Sequence, residues 1–452
     1  MSNETREQSS RGVRQWVTAL AAVVVAGFAA TPAQAVPAYA RQTGQDCVAC
    51  HVGGFGPQLT PFGRAFKLGG YTLQGGSEKH HIPLSAMLVS SFTHTTDDQT
   101  PAYNGMHAND NFVALQQASI FLAGRITDHV GVFGQATYSQ TASPANTSFG
   151  WDNTDVRYAH DYSFGSTHGI FGVSLNNNPT VSDVWNTVPA WQFGFMATPI
   201  GGGYGPGSPM IANLGASVIG TTAYTLIDNH WYIEGGLYHG ISNWWNQQLK
   251  AGGANAVSGY NPYWRLNYSG YNGQSNYEVG LVGMNTKVDD GTGVGANNAF
   301  RDIGIDGSYQ FINGGESSVT VNGLYMHEHQ SYTGGYVAGG SSSNSTDTLN
   351  FMNMNAAYWY QNTYGATIQF FNVTGSTDAV LYGNDPTSGA ALSPNTSGVV
   401  WELDWNPFGK SWVNPEKNMR LGLQYTTYNK FAGTSAGASG NNSLYLYLWT
   451  AI

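Results

Sequence analysis

Apolar and polar residues alternate in run after run from Leu84 to Ile452, and a side-chain period of two commits this chain to β-strands. In Arg301–Phe311, Ile303, Ile305, Gly307, Tyr309 and Phe311 share one face, and Asp302, Gly304, Asp306, Ser308 and Gln310 share the other. Met419, Leu421, Leu423 and Tyr425 alternate with Arg420, Gly422, Gln424 and Thr426, and Val399, Trp401, Leu403 and Trp405 alternate with Val400, Glu402 and Asp404. A soluble β-sandwich alternates too, so the connections carry the decision. Nearly every second one is a tight turn: Asp128-His129, Gly165-Ser166-Thr167, Asp228-Asn229, Tyr271-Asn272-Gly273, Asn313-Gly314-Gly315 and Asn362-Thr363. Those between are long and rich in Gly, Ser, Thr and Asn, as in Thr96–Asp110, Ser242–Gly259, Thr333–Asp347 and Thr377–Ser397. Short turns on one rim and long loops on the other mark an outer-membrane barrel, and the runs predict about 16 strands, an even count that places both chain ends on the periplasmic side.

Composition agrees. Charged residues make up 10% of the chain, against about 25% in an ordinary soluble domain, while it holds 59 Gly, 27 Tyr and 13 Trp. Past Ala35 no run of 18 apolar residues exists to form a membrane helix. The closing segment Leu444-Tyr445-Leu446-Tyr447-Leu448-Trp449 reads as a final barrel strand, ending on Ile452 where such strands usually carry Phe. By alternation Arg157, Glu234, Arg265, Asp306, Glu402 and Asp404 point into the lumen. The longest connection, Asn178–Met210, is crowded with Pro and Gly, and reads equally as a loop folded into the lumen or one left on the surface.

The first 35 residues form a secretory signal. Arg6, Arg11 and Arg14 supply the basic start, Trp16–Ala30 the apolar run and Ala33-Gln34-Ala35 the cleavage site. Its removal leaves 14 basic and 25 acidic residues, a charge of −11 that argues against nucleic acid and suits cations.

Just beyond lies Cys47-Val48-Ala49-Cys50-His51, the attachment signature of a c-type haem: two thiols for the vinyl groups and an imidazole for the iron. These are the only two cysteines, so no second pair completes a zinc tetrad, and a bridge across two residues closes too small a loop to stabilise much. Residues 36–82 are expected to be a monohaem cytochrome segment carrying one covalent haem c, and 83–452 the barrel. The sixth iron ligand is open among His80, His81, Met87 and the Met106-His107 pair, or the position is vacant. Arg64 and Lys67 pair with haem propionates or with lumen carboxylates, and Phe55, Pro57, Leu59, Pro61, Phe62 and Phe66 pack against the haem edge. His327 and His329 share a strand face across from Glu328, and read as surface chemistry more than as a metal site. No hydrolase triad, phosphate loop or paired-carboxylate arrangement is visible.

The stretches Pro37–Gly44 and Gly53–Leu68 around the haem motif resemble the fused cytochrome–porin family, whose members include the outer-membrane iron oxidases of iron-oxidising bacteria. The resemblance covers residues 37 to about 72 closely and the remainder as architecture. It implies an all-β transmembrane antiparallel barrel plugged by a short haem segment. It further implies electrons taken from extracellular Fe(II) and handed to a periplasmic cytochrome. A diffusion porin with a structural haem, and a conduit for another electron donor, are the competing expectations.

Overall fold

The computed structural model describes residues 38–75, 83–99, 107–139, 148–250, 256–289, 297–337, 340–386, 388–409 and 418–451. The signal segment, His80, His81 and Met106 lie outside them.

Sixteen antiparallel strands close into one barrel, each paired with its sequence neighbours and β1 (Leu84–Thr95) with β16 (Ser443–Ala451). The count agrees with the about 16 strands that the alternation predicts. The alternation resolves as expected: Ile303, Ile305, Leu237, Trp401 and Leu403 stand exposed on the outer wall, while Asp302, Asp306, Glu234, Glu402, Asp404, Arg157 and Arg265 are buried inside. A water-soluble sandwich would turn its apolar side chains inward; this wall presents them outward, as lipid requires. No described helix is long and apolar enough to cross a membrane. The chain therefore has the porin-like architecture of an outer-membrane barrel.

Tight turns gather at one rim. Asp228 and Asn229 both take the left-handed backbone that a two-residue hairpin needs between β6 (Val218–Ile227) and β7 (Trp231–Gly240). Between β12 (Thr346–Tyr360) and β13 (Tyr364–Gly375) the left-handed pair is Gln361-Asn362, one residue earlier than the sequence suggested.

Two pieces of chain fill the lumen. Near the tight-turn rim lies the N-terminal segment, with helices α1 (Ala38–Thr43), α2 (Cys47–Cys50) and α3 (Pro61–Leu68). Toward the long-loop rim lies the connection from β5 (Thr167–Asn176) to β6. The open question about Asn178–Met210 is thus answered: Val181, Val184, Val188, Phe193 and Ile200 are buried, and Val188 packs with wall residues Tyr263, Met284 and Met326. This insertion also corrects one expected strand. The sequence reads as one strand near 211–227, but β6 starts only at Val218, and Met210–Asn213 is a single 3-10 turn with Ile211 and Leu214 buried in the lumen. Its backbone amides explain the change, since Met210 N donates to Glu328 (2.5 Å) and Ile211 N to Asp302 (3.0 Å) instead of to a strand.

Candidate functional site: the lumenal Cys47–His51 motif

Three local features set the geometry of the motif. Asp46 precedes α2 in an extended conformation, and a single helical turn puts Cys47 and Cys50 three residues apart on one face. His51 then leaves the helix, extended, and forms an isolated bridge with Leu59. Thr60 caps α3 by accepting from Gly63 N (3.2 Å), donates its hydroxyl to Ala49 O (2.5 Å) and gives its own N–H to Cys50 O (2.9 Å). Gly63 is obligatory for this approach, because a Cβ there would stand 2.2 Å from the Cys50 carbonyl oxygen.

The wall grips the loop after the motif. Arg420, on β15 (Asn418–Lys430), donates from Nη2 to Gly53 O (2.9 Å) and Phe55 O (3.0 Å). Its guanidinium lies 4.9 Å from the Phe55 ring centre, 4.7 Å from Trp359 and 5.4 Å from Trp449. Asn406 also donates to Gly53 O, and Asn186, from the infolded loop, donates to Pro57 O (2.9 Å) and accepts from Leu59 N (3.1 Å). None of these partners is near the motif in sequence, and alternation gave Arg420 no role beyond a lumen-facing one.

Both thiols are free, and burial pushes them up, Cys47 to about 12 and Cys50 to about 11. The Asn418 side chain hydrogen-bonds Cys47. Burial pulls the His51 imidazole down to about 4 against the nearby Gly56 backbone, with the Arg420 charge adding to the fall, so the ring is neutral. Its Nδ1 is buried without a hydrogen-bond partner. Cys47 belongs to a buried cluster with Phe55, Met87, Val89, Met196, Tyr445, Tyr447 and Trp449. The cavity beside the motif, bounded by Val52, Phe55, Phe193, Phe195, Trp359 and Arg420, is about 10 Å³, room for about one water. The donor set, two free thiols a helical turn apart and then a neutral, buried imidazole, is of the kind haem c takes, while the space of about 10 Å³ beside it is far short of a macrocycle. It does not fit zinc: among the described residues no three His, Cys, Asp or Glu side chains gather to hold a metal ion.

The other expected site residues are distributed as follows. Met87 reaches the motif's packing cluster. Lys67 Nζ donates to Val181 O (2.6 Å) and Asp183 O (2.8 Å) of the infolded loop. Arg64 Nη1 reaches Leu59 O and Gln310, both at 3.4 Å, and its side chain borders a separate cavity of about 260 Å³ beneath α3, with Leu68, Trp185, Leu226 and Tyr277. Phe66 stacks edge-on with Tyr39 and Tyr71. His107 lies in the loop between β1 and β2 (Asp110–Arg125), exposed. His327 and His329 project from the outer wall while Glu328 faces inward, so they form no joint site. The lumen charges do cluster: Arg265 meets Asp306 at 2.7 Å, Asp183 at 3.2 Å and Glu278 at 3.6 Å, and Arg157 meets Asp155 at 2.7 Å.

No protein-family model and no curated protein matches this chain. Solved structures with a similar outline are porins. The anion-selective porin from Comamonas acidovorans is 12% identical, with 82% of this chain and 98% of that one covered at a TM-score of 0.45. Salmonella typhi OmpF, in complex with daunomycin, is 12% identical over 82% and 97% at 0.46, and the outer membrane channel DcaP of Acinetobacter baumannii 11% over 82% and 96% at 0.46.

Proposed function

We propose that this chain carries electrons inward across the outer membrane, with extracellular Fe(II) as donor, a periplasmic cytochrome as acceptor, and one haem c held on Cys47 and Cys50 with His51 as axial ligand. The observation that supports this reading is the placement of the motif. A buried, neutral His51 and two free thiols lie inside a closed barrel. A haem there supplies a one-electron couple. The chain supplies the rest. Electron tunnelling decays steeply with distance, so a redox site within the lumen divides a hydrocarbon layer ~25–30 Å thick into shorter steps. Arg420, Asn406 and Asn186 fix the motif's loop to the wall and to the infolded loop, and Phe55, Trp359 and Trp449 exclude water around it. Two layers of packed chain across the lumen work against the rival reading of a diffusion porin.

The test is anaerobic mixing of purified holoprotein with Fe(II). Prompt appearance of the reduced haem spectrum is expected, together with haem that stays on the polypeptide after denaturation. Absence of reduction combined with solute leakage from loaded liposomes would replace this reading with the porin, and reduction by another donor but not Fe(II) would change the substrate. His51→Ala should abolish Fe(II)-dependent reduction.

A further inference from the structure

We infer that the cavity beneath α3 is a binding site for a small organic acid, a carboxylate on a compact apolar body, with Arg64 as its counter-ion. The site is separate from the Cys47–His51 motif and does not rest on the haem reading. Arg64, Arg157, Arg265 and Arg420 are all buried, and three of them are well matched. Arg157 meets Asp155 at 2.7 Å, Arg265 meets Asp306 at 2.7 Å, and Arg420 donates to two carbonyls at 2.9 and 3.0 Å. Arg64 differs. It is 9% exposed and makes an ion pair with no described residue. Only its Nη1 is engaged, at 3.4 Å to Leu59 O and to Gln310, and Nε and Nη2 have no hydrogen-bond partner among the described residues. Burial pulls the guanidinium down to about 10, with Glu278 and Asp183 pulling it back from beyond ion-pair distance, so it is charged at neutral pH. A cation taken this far out of water is costly unless a group of opposite sign meets it.

The cavity's walls suit such a group. Pro61, Arg64, Ala65 and Leu68 share one face of α3, and all four line it. Gly63, which presses on Cys50 O, falls about 150° round the same helix, so α3 stands between the cavity and the motif. From the barrel wall and the infolded loop come Ile170, Leu226, Val184 and Trp185, an apolar bed packed together with Leu68. Asn276, on the inward face of β9 (Ser275–Val288), adds a side-chain amide with no hydrogen-bond partner among the described residues. The lining ends on exposed Asn229 and Tyr271 at the tight-turn rim, so the cavity opens toward the periplasm. Its volume of about 260 Å³ exceeds the ~150 Å³ that holds one benzene ring, which leaves room for a carboxylate beside the ring. An apolar cleft with a few convergent polar groups is the usual form of a small-molecule site. The guanidinium fork matches a carboxylate and rejects neutral molecules, and the apolar bed rejects small hydrated anions. A bound acid would touch α3, the infolded loop and the wall at once, tying both inserts to the barrel.

The probe is benzoate, titrated calorimetrically into the purified protein in detergent, with benzamide, acetate and inorganic phosphate as comparators. Saturable binding at one site per chain is expected for benzoate. Benzamide, which keeps the ring without the charge, should bind at least about tenfold more weakly. Acetate and phosphate should be weaker by a similar factor, because they leave the apolar bed unused. Arg64→Gln should weaken benzoate binding at least about tenfold. Ala65→Phe keeps the charge but fills the cavity, so it should weaken binding as well, and it decides the matter if Arg64→Gln does not fold. Bound benzoate should also slow amide exchange in both 61–68 and 184–187, as a ligand gripped by two inserts requires. No saturable binding of benzoate, benzamide binding as tightly as benzoate, or unchanged affinity in either variant overturns the assignment. Phosphate or acetate binding as tightly as benzoate would overturn the organic acid and leave only an ion drawn by charge.

Discussion

Each lumen insert is held by a buried wall arginine, Arg265 for one and Arg420 for the other, in opposite chemical surroundings. Arg265 holds the infolded loop through ions: the loop brings its own carboxylate, Asp183, and the wall adds Asp306 and Glu278. Arg420 holds the N-terminal segment through neutral groups, two backbone carbonyls and three aromatic rings, with Asp404 only at 4.0 Å. The loop is thus fixed by charge balance and the segment by shape and dipoles. An ionic cage fails as a unit when its cation is removed, since three carboxylates are stranded together. A carbonyl-and-ring cage loses its hydrogen bonds but strands fewer charges.

The contrast can be broken experimentally. Arg265→Met should have the largest effect, loosening docking of the loop by at least the ~3–5 kcal/mol typical of stranding a buried ion partner. Amide hydrogen exchange should speed across residues 178–217 and stay slow at 47–58; the reverse pattern would refute the assignment of Arg265 to the loop. Arg420→Met should produce the mirror image, exposing 47–58 while 178–217 holds, at about 2–3 kcal/mol for two charge-assisted hydrogen bonds lost to carbonyls. Gly63→Ala should come next, since the new methyl overlaps the Cys50 carbonyl and overpacking costs about 1–3 kcal/mol. Faster exchange confined to 47–68 is the expected reading, and wild-type exchange there would show that α3 does not press on the motif.

The smallest effect is a pH dependence at the seam between the inserts. Burial, with Arg157 adding to it, pulls the Lys67 ammonium from 10.5 down to about 7, against the pull of Asp155, Asp183 and Glu234. The undocked side chain keeps its proton up to about 10.5 and the docked one releases it near 7, so docking strengthens as pH rises through that window and is weakest below it. Exchange protection of 61–72 should increase from pH 7 to 10, and Lys67→Met should flatten that rise.

The wall was almost wholly legible in the sequence because lipid outside and polar groups inside impose a strict period of two, and hairpin turns need residues such as Asp228-Asn229 that tolerate a left-handed backbone. The lumen was not. Residues 211–217 run without a turn signal into the alternating residues of β6, and only the amide-to-carboxylate bonds to Glu328 and Asp302, contributed from more than 90 residues away, fix their start in the lumen. Arg420 read as one more polar group in an alternating run, and its contact with Gly53 spans 367 positions. The thiols and His51 were visible because they lie within five consecutive residues.

Closure of the barrel has a temporal side. Cys47 is walled by Met87 on the first strand and by Trp449 on the last, the two strands whose pairing seals the cylinder. Pairing of the first strand with the last therefore completes the chamber around a segment that precedes both. Any bulky group joined to the two buried sulfurs would therefore have to reach them before β1 and β16 pair.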